Sequence, residues 1–134
     1  MIYLYVLKLK TKWFNRWSRK NKLSDSLLLE TIENLDNNLS TVSLGKGLYK
    51  VRTPKIGRGK SGGYRTIIVF KKSKLAVFVY AFAKNEKDNL DKEELSYFRK
   101  LAVELLSIRK QEYLRLVKVG AIFRLREGNE KKNK

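Results

Sequence analysis

Hydrophobic and polar residues follow two different periods along this chain, and the switch between them divides it. The apolar run Ile2-Tyr3-Leu4-Tyr5-Val6-Leu7 predicts a first β-strand. It is far shorter than the ~20 apolar residues of a membrane span. With no basic stretch ahead of it and no small-residue cleavage site, it does not read as a signal peptide. Trp13, Phe14 and Trp17 then fall at helical spacing among Lys12, Arg16, Arg19 and Lys20, which predicts a short amphipathic helix with its aromatics toward a core. Ser24 is placed to cap a second helix, with Leu28, Ile32, Leu35 and Leu39 along one stripe. Joined near Asn21-Lys22, the two make a helical hairpin.

From Leu44 the period shortens to two. Leu48 to Thr53 alternates, placing Tyr49 and Val51 on one face and Lys50 and Arg52 on the other. Tyr64 to Phe70 is β-branched and aromatic, a second strand of this region. Lys71-Lys72-Ser73-Lys74 turns the chain into Leu75 to Ala83, an almost wholly apolar run expected at the centre of a sheet with both faces covered. The short connection makes these two strands an antiparallel hairpin. Asp91 followed by Glu94 predicts a capping box, opening a helix with Leu95, Phe98, Ala102 and Leu105 on one stripe. A shorter helix over Gln111 to Val119 ends at Gly120, and Ala121 to Arg126 offers a last strand. Residues 127–134 are charged and apolar-poor, a frayed tail after a single domain over 1–126. The fold class expected is α+β: a small curved antiparallel sheet with an N-terminal helical hairpin and a C-terminal helix packed on it.

Composition narrows the chemistry. The 134 residues contain no cysteine and no histidine, which removes thiol and imidazole catalysis and the usual zinc ligands. Lys and Arg number 31 against 13 Asp and Glu, a net charge of +18. Such a field favours nucleic acid, an anionic membrane or an acidic protein as partner. The basic residues do not form one clean amphipathic helix, so a membrane surface is the weakest of these. A cytoplasmic location fits the absence of cysteine.

The cations are concentrated where glycines are. In Pro54-Lys55-Ile56-Gly57-Arg58-Gly59-Lys60-Ser61-Gly62-Gly63-Tyr64-Arg65, the Gly-Lys-Ser invites a nucleotide-binding reading. That motif needs glycine where Pro54 stands, and a helix where Tyr64 to Phe70 reads as strand. The loop is therefore no P-loop. Lys50 and Arg52 precede it, Lys55, Arg58 and Lys60 lie in it, and Arg65 follows; if it folds back as a hairpin connection, these cations converge on one concavity. Its glycines would let a phosphodiester backbone approach closely. At the exit of the apolar strand stands Lys84-Asn85-Glu86. The acidic stretch from Glu86 to Asp91 lacks the spacing of a calcium loop, and no metal or cofactor is assigned.

The stretch GRGKSGGYRTIIVF, followed by FVYAFAKNEKDNL, resembles the RelE/HigB superfamily of bacterial toxins from toxin–antitoxin pairs, over about Lys10 to Ile108. The resemblance implies a metal-independent endoribonuclease that cuts mRNA on the ribosome and is silenced by a helix-turn-helix antitoxin. It matches Lys50 and Arg52 to a basic pair on the strand before the loop, Arg65 to an arginine at the scissile phosphate, and Lys84 to a basic position at the strand end. Asn85 stands where the better-studied members have arginine. Asp91 stands roughly where they carry a tyrosine or histidine as proton carrier.

Cleavage by such a site means attack of a ribose 2′-OH on the adjacent phosphate. The phosphorane is dianion-like, and one well-aimed donor is worth ~3 kcal/mol to it. Arg65 suits that role because its planar fork binds phosphate bidentately. Candidate catalytic residues are thus Arg65, Lys84, Lys60 and Glu86, with Lys84 or Lys60 as bases, since crowding by like charge favours a neutral amine. Lys50, Arg52, Lys55, Arg58 and Tyr64 form the candidate nucleic-acid-binding set. The alternatives are a non-enzymatic toxin that binds a protein target such as DNA gyrase, as ParE-type relatives do, and a simple RNA-binding domain.

Overall fold

A computed structural model of the chain describes residues 6–53 and 63–127. In chain order the elements are β1 (Leu7–Thr11), α1 (Lys12–Lys20), α2 (Asp25–Asp36), β2 (Thr41–Gly45), β3 (Leu48–Thr53), β4 (Tyr64–Lys71), β5 (Leu75–Ala83), α3 (Lys92–Ser107), α4 (Lys110–Lys118) and β6 (Ile122–Arg124). The strands form one sheet in the order β2-β3-β4-β5-β1-β6. β1 runs parallel to β5, and the other pairings are antiparallel. This is the α+β architecture expected.

Each face of the sheet has its own core. On one face Leu48, Ile67, Val69, Val77 and Phe82 pack with Phe98 and Ala102 of α3 and Tyr113 of α4. On the other Val51, Tyr64, Ile68, Ala76 and Phe78 pack with Phe14 of α1 and Leu28, Ile32 and Leu35 of α2. β5 is buried along nearly its whole length, as its unbroken apolar sequence requires. Local signals open two of the helices where the sequence predicts. Ser24 accepts from Leu27 N, and Asp91 and Glu94 make a complete capping box.

Three details differ from the sequence reading. The first strand begins at Leu7 and extends to Thr11, while residues 2–5 of the expected run lie outside the described residues. Leu7 and Leu9 point inward there, and Lys10 is buried too because Asp25 neutralises it at 2.7 Å. Leu39 does not join the α2 stripe; it is 54% exposed. The helix stops at Asp36 because Asn37 caps it and Asn38 turns left-handed at φ 57°, a conformation Asn tolerates. The residues thereby released form β2, which antiparallels β3 through a two-residue turn, Lys46-Gly47, with both φ positive. The expected tail falls outside the described residues from 128 onward.

Candidate functional site

The site grows from strand register. Lys50 pairs with Ile67, and Arg52 lies directly opposite Arg65. Cross-strand partners share a sheet face, so Lys50, Arg52 and Arg65 all project on the α3 side. They line one open hollow of about 400 Å³, completed by Asn38, Ser40, Thr41 and Val42 from the end of α2 and from β2. Among the described residues no carboxylate lines it. Like charges directly opposite on neighbouring strands oppose folding, so this register carries an electrostatic cost that an anion in the hollow would relieve.

Arg65 shows the imbalance most sharply. Its Nη1 is buried and has no hydrogen-bond partner among the described residues. An unmade bond at a buried charged donor costs ~1–3 kcal/mol or more. Lys50 is held differently, with Nζ donating to Asn89 Oδ1 in the segment that crosses from β5 to α3. A neutral partner positions that ammonium without neutralising it. The rim is held in unusual backbone: Asn38 and Ser40 take φ of 57° and 54°. Arg52 N donates to Ser40 O, and Thr41 Oγ1 donates to Leu39 O, fixing the rim to the strand that carries the cations.

Beside the hollow lies a second polar group. The Glu94 carboxylate accepts from Lys87 Nζ at 2.6 Å, from Tyr80 Oη at 3.1 Å and from Asp91 N at 3.0 Å. The Lys87 bond, first among the causes, holds Glu94 below the usual carboxylate range and raises Lys87 above the usual amine range. Burial, and then the Glu94 charge, push the Tyr80 phenol up. Lys87 also lies over the Tyr80 and Phe82 rings, at 5.9 and 5.4 Å from their centroids. Among the described residues no group of three acidic, His or Cys side chains could hold a metal ion.

The expected site residues therefore divide. Lys50, Arg52 and Arg65 are brought together. Lys84 and Glu86 are exposed in the turn after β5 and do not line the hollow; Glu86 Oε1 accepts from Ala83 N at 3.5 Å. Tyr64 is placed on the opposite face, 7% exposed, edge-on to Trp17 at 5.1 Å. It opens β4 one residue before Arg65, and the alternation that sends Arg65 into the hollow sends Tyr64 into the core. Lys55, Arg58 and Lys60 lie outside the described residues. Asp91 is committed to capping α3. Sequence reasoning missed the rim and Asn89. The rim had a signal in Thr41-Val42-Ser43-Leu44 ahead of Gly45-Lys46-Gly47, an alternating run before a turn. Asn89 had none.

A family model described as the RelE toxin of the RelE / RelB toxin–antitoxin system matches residues 7–125. No curated protein matches the chain. Among the described residues no helix is long and apolar enough to cross a membrane.

Proposed function

The chain belongs to the RelE toxin family, the toxin half of a toxin–antitoxin system, and on that footing we propose that its hollow is the active site of an mRNA endoribonuclease working on the ribosome. The observation that supports the reading is the buried Nη1 of Arg65, unpartnered among the described residues, on a side chain lining a hollow to which those residues bring three cations and no carboxylate. Such a donor is preorganised for an anion before any substrate arrives.

In the proposed reaction the 2′-OH loses its proton and its oxygen bonds to phosphorus. The P–O5′ bond then breaks, and the 5′ oxygen takes up a proton. The products are a 2′,3′-cyclic phosphate and a 5′-OH. Arg65 stabilises the charge gathered on the non-bridging oxygens, while Lys50 and Arg52 hold the flanking backbone. An acidic antitoxin segment laid over the same hollow would silence it, complementary charge supplying both speed and specificity of association.

Arg65→Ala removes the preorganised donor, and a loss of ~3 kcal/mol slows cleavage by two orders of magnitude or more. The measurement is message cleavage in a purified translation system, with the cyclic-phosphate end identified. Unchanged cleavage by Arg65→Ala would remove the assignment. A second reading, a toxin that occupies a protein target without cutting, is favoured by one observation: Asp91, roughly in the place of the family's proton carrier, is tied up as a helix cap. Intact message together with inhibited gyrase in the same assay would establish it.

A further inference from the structure

At the opposite edge of the sheet lies a second cationic hollow, of about 360 Å³, lined by Lys12, Asn15, Arg16, Arg19 and Phe123. Residues 12, 15, 16 and 19 fall on one face of α1, opposite the buried Phe14 and Ser18. The stripe works against its own helix. Lys12 and Arg16 are four apart, as are Arg16 and Lys20, so like charges meet along the surface. The first turn of α1 holds no acid, and Lys12 sits at the positive end of the helix dipole. Among the described residues the ion pairs form elsewhere, at Lys8, Lys10, Lys87 and Arg115.

From this we infer that the α1/β6 hollow is a second RNA-backbone site, separate from the one that carries the chemistry. The unopposed repulsion calls for a polyanion. Phe14 and Trp17 of α1 pack into the core, and Trp13, though 41% exposed, lies against Trp17 and Tyr80, so the helix presents one aromatic and no continuous apolar face to a lipid bilayer. Phe123 in the wall, beside guanidinium groups, suits a nucleic acid with stacking faces better than an aliphatic acidic peptide. The two hollows lie three to four strands apart in the sheet order, on the order of 15–20 Å by strand spacing alone, and on opposite faces of the sheet, so an RNA that engages both passes round it. A single polymer can reach both. The site would grip sequence-independently, adding affinity for a long or structured RNA at a distance from the cut.

The test measures binding of a 2′-O-methylated single-stranded RNA, long enough to span both edges, by fluorescence anisotropy between roughly 50 and 200 mM salt. Each phosphate neutralised contributes ~0.7 to the slope of log K against log salt, so Lys12→Gln/Arg16→Gln/Arg19→Gln should flatten it by about 2. Arg16→Gln alone should flatten it by ~0.7 and hold or raise the melting temperature, since it relieves repulsion. An unchanged slope overturns the inference. So does a clear fall in melting temperature for Arg16→Gln, or loss of poly-glutamate binding with RNA binding intact. The probe lacks the attacking hydroxyl, so a failure of the cleavage reading leaves this result untouched. Arg65→Gln reports on the first hollow separately.

Discussion

Beneath the cationic hollow, on the far side of the same strands, three buried threonines form a chain. Thr31 Oγ1 lies 3.1 Å from Thr53 Oγ1, which lies 3.2 Å from Thr66 Oγ1. At the ends, Thr31 donates to Leu27 O at 3.0 Å and Thr66 donates to Val51 O at 3.1 Å. Three hydroxyl hydrogens serve four contacts, so once the two outer hydroxyls donate to carbonyls, Thr53 can donate to only one neighbour. Thr53→Val removes one net hydrogen bond and strands no donor. The loss should be ~1 kcal/mol, and the added methyl, isosteric with the hydroxyl, avoids a cavity. At ~2.1 cal/mol/K per residue over 134 residues, that lowers Tm by about 3–4 °C. Thermal and urea unfolding followed by circular dichroism would read it. Cleavage well below Tm should be unaffected, because the hydroxyls face away from Arg52 and Arg65. A loss of ~3 kcal/mol or more would mean that Thr53 satisfies a donor with no carbonyl to fall back on, and the proton count would be wrong.

Asp25→Ala should cost ~3 kcal/mol, because Lys10 stays buried without its carboxylate; Lys10→Met/Asp25→Leu should recover most of that loss, and urea titrations would show whether it does. Glu94 is held low by Lys87, so its share of stability is complete above its ordinary range near ~4.3 and is lost as pH falls through the lowered value. Lys87 is held high, so its share is complete below ~10.4 and is lost as pH rises through the raised value. Glu94→Gln should flatten both limbs of the stability–pH profile, and an unaltered profile would refute the coupling.

Much of the fold was legible because its signals are local. The β5 run, the Ser24 and Asp91 caps and the α1 spacing each act within a few residues. The convergence of Lys50, Arg52 and Arg65 was legible in part, since alternation on Leu48–Thr53 fixes the face and a hairpin fixes the neighbour. What stayed hidden depends on register and distance. Asn89 meets Lys50 across 39 positions of chain, and nothing in the sequence announces that bond. β2 was masked by a competing signal: Leu39 continues the helical spacing of Leu28, Ile32 and Leu35, and only the left-handed preference of Asn38 breaks it. Tyr64 shows the converse, an aromatic beside a functional arginine whose parity sends it to the other side.

The proton acceptor can be identified from the pH dependence of cleavage. The chain has no histidine, so no imidazole can impose a break between pH 6 and 7. Tyr80 and Lys87, the polar groups beside the hollow, are both shifted upward and both donate to Glu94, which leaves them as donors at neutral pH. Two kinds of base then predict different profiles. A lysine of ordinary character, or hydroxide itself, gives a rate that climbs about tenfold per pH unit between ~5.5 and 7.5. A carboxylate of ordinary acidity is already ionised across that range and gives a flat profile. The exposure of Glu86, its bond to Ala83 N and its absence from the hollow's lining favour the climbing profile. Single-turnover cleavage of ribosome-bound message across this range decides the matter: a flat line would hand the role to a carboxylate, and a break near pH 6.5 would require a group that the described residues do not bring to the hollow.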